Sequence, residues 1–290
     1  MRIALLGTGL MGYALAERLL GQGAELSVWN RTRSKAEPLG ALGARVFGTG
    51  REAIESVGEG GLVLAMLRDA AAVRSALADA LPALPALAGK TFVQMSTIAP
   101  GESRALAAEI EAAGGGYLEA PVLGSTPQAK GGTLQVLVGG DPHLFARVET
   151  ALAPLGPPTL VGPVGQAAAL KLALNQLIPN LIAAFSLSVG MVRRSGVDLD
   201  LFLGILRKSA LYAPTFDGKL PKIRERDFAQ PNFPAELMLK DLDLIRAECE
   251  SLGLDGAVTD ALRGVLARTV EGGTGGADYS ALYEVIDPRD

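Results

Sequence analysis

The 290-residue sequence contains one cysteine and one histidine, and each scarcity excludes a class of chemistry. A lone thiol, Cys249, makes no internal disulfide and supplies no thiolate-rich metal site, which suits a reducing compartment. The only histidine, His143, stands in GGDPHLF at the start of an expected helix and reads as a surface residue. Any reaction must therefore run without a histidine base, and no metal site is expected. Basic excess is missing as well. A formal net charge of −4 gives no field to hold a polyanion, so nucleic acid is not an expected partner, and a small substrate fits better. The opening MRIALLGTGL has one basic residue and then glycines, unlike a secretion signal, and a cytoplasmic location is expected. Leu172 to Val192 carries no charge over a length that can cross a bilayer. However, Asn175, Gln176, Asn180, Ser186 and Ser188 fall on several faces, Pro179 interrupts it, and no second such segment exists. The expectation is a helix buried all round, between domains or subunits, and no membrane partner.

What is present is a chain that is 49% apolar and long enough for two domains, so disorder is not expected. Up to about residue 160, short aliphatic runs alternate with alanine-rich stretches, the pattern of parallel βαβ units. Arg2–Leu6, Glu25–Trp29, Leu62–Met66, Thr91–Met95, Tyr117–Val122 and Leu134–Val138 read as strands. MGYALAERLLGQG, DAAAVRSALADAL and ESRALAAEIEAAGGG read as helices, the first and last stopping at glycine. From Gln166 onward only helix and loop are expected. The expected fold class is an α/β Rossmann dinucleotide-binding domain (residues 1–164) followed by an all-α domain (165–290), joined by a long interdomain helix over 165–194. No repeat of solenoid period is visible.

RIALLGTGLMGYALAERLL is a strand, a glycine turn and a helix. In Gly7-Thr8-Gly9-Leu10-Met11-Gly12 the first glycine permits the tight turn, the second lets backbone approach a pyrophosphate, and the third lets helix pack on strand. The helix N-terminus then faces the phosphates. Glycine turns are common in alanine-rich chains, but this one follows the first strand, opens a helix and leads to a second strand, which makes it a dinucleotide site. At the end of that second strand, VWNRTRSK places Asn30, Arg31 and Thr32 where an acid usually meets the ribose hydroxyls. A guanidinium with two neutral polar groups suits a 2′-phosphate, and hence NADP(H); the competing reading is a solvated basic turn.

GPVGQAAALKLALNQLIPNLIAAF sets one cation, Lys171, among alanines and leucines, with Asn175 four residues on and therefore on the same helix face. Either Lys171 snorkels to the surface, or a site requires it.

These motifs together resemble the β-hydroxyacid dehydrogenases, a family that includes 3-hydroxyisobutyrate dehydrogenase and the glyoxylate/succinic semialdehyde reductases, and the resemblance runs over nearly the whole chain. GTGLMG is similar to the family's cofactor turn and NRT to its NADPH-using branch. AMLRD, with Met66 and Leu67, and QMSTIAP, with Thr97 near the nicotinamide ribose, resemble its cofactor-side loops. EAPVLGSTPQAKGGTL resembles its substrate loop, GPVGQAAALKLALN its catalytic helix and LMLKDLDL its C-terminal helix. The resemblance implies an NADPH-dependent oxidoreductase that interconverts small aldehyde or keto acids with β- or γ-hydroxy acids. In it Lys171 is general acid in reduction and base in oxidation, its ammonium disfavoured by burial and a cationic ring, and Asn175 holds substrate or amine. It also implies that Lys240 and Asp241 close the site, Lys240 on the cofactor and Asp241 on the substrate, with Phe233 as an aromatic wall; read alone, the two charges are a solvated helix face. The relatives' habit of packing the long helix between subunits implies a homodimer or homotetramer.

The substrate loop departs from the family pattern. Leu123 stands where relatives carry serine, followed by Gly124 and Ser125. Leucine keeps its N–H for an anion nest but loses a hydroxyl and adds bulk, and Ser125 or Thr126 is the candidate replacement donor. This leaves an imine reductase-like enzyme on the same scaffold as an alternative, although those relatives carry another residue at the lysine position. A non-catalytic NADP-binding protein is the alternative from another class. The cousin 6-phosphogluconate dehydrogenase has a much longer chain and basic and histidine contacts missing here.

Overall fold

The structure, a computed structural model, describes residues 2–78 and 86–289. The chain divides into two compact units, Met1–Lys171 and Leu172–Asp290.

The first unit is built on strands β1 (Ile3–Leu6), β2 (Leu26–Trp29), β3 (Arg45–Val46), β4 (Leu62–Ala65), β5 (Thr91–Gln94), β6 (Gly116–Glu119), β7 (Val122–Leu123), β8 (Gln135–Gly140) and β9 (Pro158–Gly162). They form one sheet in the order β3-β2-β1-β4-β5-β6-β8-β7, with β9 beside β8. β1 to β6 run parallel, and β8 is antiparallel to β6. Successive side chains of a strand point to opposite faces, and the cores follow that period. Ile3, Leu5, Leu62 and Leu64 lie in one core, with Leu15 and Leu19 of α1 (Leu10–Gly21). Ala4, Leu6, Val63 and Ala65 lie in the other. That second core also takes in α3 (Gly50–Glu55), α4 (Ala70–Leu77) and α5 (Pro100–Ala112); α2 (Glu37–Gly40) packs in the first. Burial on both faces explains why β1 and β4 are unbroken aliphatic runs.

α6 (Thr126–Gly131) joins the antiparallel neighbours β7 and β8, and α7 (Pro142–Leu152) joins the parallel neighbours β8 and β9. His143 is exposed at the start of α7. Three features depart from the sequence expectation. The segment Tyr117–Val122 is two strands, because Pro121 has no N–H for the ladder and β7 pairs with β8 separately. β3 is only two residues long, and β9 runs to Gly162, two residues past the expected end of strand pattern. The helix read in DAAAVRSALADAL is described as far as Leu77; residues 79–81 of it lie outside the described residues.

The second unit is helical: the body of α8 (Gln166–Arg194), then α9 (Leu199–Leu206), α10 (Pro214–Glu225), α11 (Ala235–Ser251), α12 (Ala257–Thr269) and α13 (Leu282–Ile286). Its core gathers Ile182, Phe185, Met238, Leu242, Leu266 and Tyr283. α8 is the one described helix long and apolar enough to cross a membrane. It is not buried all round within this chain, since Leu177, Leu181, Leu187 and Met191 are exposed.

Candidate functional site

The parallel strands end in register: Trp29, Leu6, Ala65, Gln94 and Glu119 are neighbours across β2, β1, β4, β5 and β6. The candidate cofactor residues follow these ends, on the carboxyl edge where open parallel sheets bind ligands.

After β1, Gly7 adopts φ +99°, and a Cβ there would meet the Met66 carbonyl oxygen at 2.2 Å. A Cβ on Gly12 would stand 2.0 Å from the Gly7 carbonyl oxygen, so α1 packs on the turn only through glycine. At Gly9 a Cβ would meet nothing within 4 Å, and the backbone there faces open space. Gly9 caps α1 without a side-chain hydrogen bond, and no acid lies in the first turn, so its N–H groups and the positive helix end remain for an anion. Leu10 is exposed and Met11 half-buried in that turn. The Thr8 hydroxyl is buried and has no hydrogen-bond partner. A tight turn, an open glycine, an uncapped helix start and an orphaned hydroxyl fit the pyrophosphate of a dinucleotide.

After β2, the Asn30 amide braces that turn. Its Oδ1 accepts from the Thr8 N–H at 3.0 Å and its Nδ2 donates to the Thr32 carbonyl at 2.8 Å. The charge at this position is carried by Arg31, which is exposed, as is Thr32. Arg33 is ion-paired with Glu37 at 3.1 Å.

After β4, the Leu67 N–H donates to the Ser96 hydroxyl at 2.8 Å. Gln94 holds Ser96 in turn, its Oε1 accepting from the Ser96 N–H at 2.6 Å and its Nε2 donating to the Ser96 carbonyl at 2.8 Å. The loops bearing Met66, Leu67 and Thr97 are thus tied together through two buried polar residues that sequence reasoning missed. Their signal was a Gln and a Ser inside an apolar strand end.

In the substrate loop, Leu123 ends β7 and is half-buried. Gly124 adopts φ +131°, and a Cβ there would press on Leu134 at 2.7 Å. The Ser125 hydroxyl donates to Gln128 Oε1 at 2.8 Å, and its N–H reaches the same oxygen at 3.1 Å. Ser125 therefore serves α6, which weakens its claim to replace the missing serine hydroxyl at position 123.

Lys171 lies in the second turn of α8, the last residue of the first unit, and is only 7% exposed. It is not a snorkelling surface lysine. One turn on, Asn175 is 1% exposed and donates from Nδ2 to Asp241 Oδ2 at 2.7 Å. Because a carboxylate only accepts, this bond fixes the amide's orientation and leaves Oδ1 as a buried acceptor with no partner. The second Asp241 oxygen lies 2.7 Å from the Lys240 ammonium. Asp241 thus orients Asn175 from α11. Phe233, before α11, meets the Tyr279 ring edge-on at 6.1 Å. Among the described residues no cluster of His, Cys, Asp or Glu is arranged to hold a metal ion.

Comparison with known proteins agrees with this architecture. Residues 2–164 match the family of the NAD-binding domain of 6-phosphogluconate dehydrogenase, and residues 165–286 match the NAD-binding family of NADP-dependent 3-hydroxyisobutyrate dehydrogenase. The chain is 32% identical over 288 residues to glyoxylate/succinic semialdehyde reductase 1 of Arabidopsis thaliana, covering 99% of this chain and 98% of that protein. Its fold matches 3-hydroxyisobutyrate dehydrogenase of Mycobacterium tuberculosis, solved with L-serine, at a TM-score of 0.86 and 24% identity over 99% of both chains. A reductive aminase of Aspergillus terreus, solved with NADPH4, cyclohexanone and allyl amine, shares 31% identity over 98% of both chains with a TM-score of 0.65. A glycine turn at the carboxyl edge of a parallel sheet, a buried lysine on the helix that leaves the same unit, and matches over both halves lead to one conclusion: the chain belongs to the β-hydroxyacid dehydrogenase family of nicotinamide-dinucleotide-dependent oxidoreductases.

Proposed function

We propose that this chain is an NADPH-dependent reductase of small aldehyde or keto acids, interconverting them reversibly with β- or γ-hydroxy acids. The observation that carries the reading is the buried amine of Lys171 on a helix that starts in the cofactor-binding unit, with the Asn175 acceptor one turn further along. When bound, the dinucleotide supplies a hydride to the carbonyl carbon. The chain supplies the rest. Lys171 Nζ delivers a proton to the carbonyl oxygen as it becomes an alkoxide, and takes it back in oxidation. Asn175, its amide held by Asp241, accepts a hydrogen bond from that amine or from the substrate hydroxyl. The backbone N–H groups of Leu123 and Gly124 take the substrate carboxylate, in a pocket that leucine makes smaller and drier, while the Ser125 N–H stays with Gln128.

The choice of NADPH rests on Arg31. Arg31→Asp is expected to weaken NADPH by about ten- to a hundredfold, the worth of a charged hydrogen bond, and to leave NADH nearly unchanged. Fluorescence titration with both cofactors reads this, and equal losses would show that the phosphate is held elsewhere.

A second reading, imine reduction, is favoured by the 31% identity to the reductive aminase. Following NADPH oxidation at 340 nm with glyoxylate, succinic semialdehyde, methylmalonate semialdehyde and a cyclic imine separates the two. Turnover of the imine alone removes the hydroxy-acid reading. NADPH binding with no turnover of any carbonyl or imine supports a non-catalytic dinucleotide-binding protein. We also propose self-association through the apolar residues that α8 and α9 leave exposed, among them Leu187, Met191, Leu201 and Ile205. A monomeric mass in sedimentation equilibrium would remove that proposal.

A further inference from the structure

Glu119 is a carboxylate at the C-terminal end of β6, 1% exposed, with no part in the chemistry derived above. A buried carboxylate is tolerated only where donors replace its water, and here they come from two directions. Oε1 accepts from three backbone N–H groups at the start of α8: Gly165 at 2.8 Å, Ala167 at 2.8 Å and Ala168 at 3.1 Å. Oε2 accepts from the Ser103 hydroxyl of α5. Since Ser103 gives its one proton to the carboxylate, the Tyr117 hydroxyl, 2.8 Å from Ser103, must donate to Ser103. Burial raises the pKa of that phenol, which keeps it a donor. On the neighbouring strand, Gly139 pairs with Glu119, and a Cβ there would stand 2.5 Å from Oε1. The site is thus shaped by a glycine to admit the side chain and is fully bonded from α5 and α8.

We infer that Glu119 is a positioning residue for the reaction: it clamps the first turn of α8 to the cofactor edge of the sheet and thereby sets where Lys171 stands. The step from Ala168 to Lys171 is three residues, about 4.5 Å of helix rise, so a shift of the helix start passes to the amine almost undiminished. The carboxylate also faces the positive end of the helix, which a neutral side chain would leave uncompensated. Gly12 packs on Gly7, and Asn30 and Ser96 bond to Thr8 and Leu67, so the dinucleotide end of the site does not depend on this clamp.

This inference rests on the assignment of Lys171 as proton donor, and the test separates the two. In the full-length enzyme, Glu119→Ala is expected to lower kcat for the best aldehyde by about ten- to a hundredfold, the cost of misplacing a reacting group by about 1 Å, with KM and NADPH affinity within about twofold of wild type. Glu119→Gln keeps an accepting oxygen and is expected to recover most of kcat. Gly139→Ala crowds the carboxylate without removing it and is expected to lower kcat in the same way, which keeps the test open if Glu119→Ala fails to fold. Amide hydrogen exchange over residues 163–171 is expected to speed up by about tenfold or more in Glu119→Ala while residues 10–21 stay protected, whatever the role of Lys171. Unchanged kcat in both Glu119→Ala and Gly139→Ala, a loss in NADPH affinity instead of kcat, or unchanged exchange at the start of α8 would overturn the inference. Faster exchange at α8 together with full turnover in a Lys171→Met variant would instead remove the proton-donor reading and, with it, the catalytic meaning of the clamp.

Discussion

Replacing Lys171 with methionine is expected to lower turnover by about a hundredfold to ten-thousandfold, the usual share of a general acid, while leaving NADPH affinity near the wild-type value. Methionine matches the length of the lysine stem and removes the transferable proton. The position is nearly buried and flanked by apolar residues, so the fold is expected to accommodate a methionine side chain there. The cofactor turn, its Asn30 brace and the Ser96 latch belong to other parts of the first unit and do not involve Lys171. Stopped-flow hydride transfer together with fluorescence titration of NADPH measures both halves of the expectation. Turnover within threefold of wild type would show that the proton comes from another group, and a parallel collapse of cofactor binding would show that Lys171 is structural.

The second large effect concerns stability. Lys219 of α10 places its ammonium 2.7 and 2.8 Å from the two oxygens of Asp278, and the two side chains are 9% and 0% exposed. Asp278 also accepts from the N–H groups of Asn232 and Ser280 and from the Ser280 hydroxyl, and the ammonium lies 4.5 Å from the centre of the Tyr279 ring. Asp278→Asn leaves that ammonium buried without its counter-charge, and is expected to destabilise the helical unit by about 3–5 kcal/mol, seen as a lower urea midpoint. Burial alone would raise the Asp278 carboxyl, but Lys219 and the hydrogen bonds from Lys219, Ser280 and Asn232 outweigh it and hold the group below the ordinary carboxylate range. A carboxyl depressed in the folded state contributes stability that is fully present above its unfolded value, about 3.9, and is lost as pH falls through the folded value. The stability gap between wild type and Asp278→Asn is therefore expected to close as pH falls below about 4. A gap that widened on acidification would show that the pair is not an ion pair.

Much of the architecture was legible in the chain because local rules act on neighbouring residues. The aliphatic runs at Ile3–Leu6 and Leu62–Ala65 are parallel strands covered on both faces, and only such strands dispense with polar alternation. Gly7, Gly9 and Gly12 read correctly as turn, open approach and close packing, since each demand is set within one strand and one helix. Lys171 was conspicuous because a cation among alanines and leucines has a cost that a sequence displays. β3 was too short to show a period, and the split at Pro121 required knowing that β8 returns antiparallel beside both pieces.

By itself, then, the sequence determined most of the strands and helices, where the glycine turn opens a helix and which amine is out of place, all consequences of side-chain period and backbone freedom within a few residues. Only the tertiary structure decided what holds those parts in position. Glu119 meets α8 across 46 residues, Asn175 meets Asp241 across 66, and Lys219 meets Asp278 across 59. The physical reason is that a buried polar group must be paired, but nothing in its own neighbourhood along the chain says with what; chain closure over long loops supplies the partner. Asn30 makes the same point in small: its place marked it for the cofactor, and folding gave both ends of its amide to the backbone of Thr8 and Thr32.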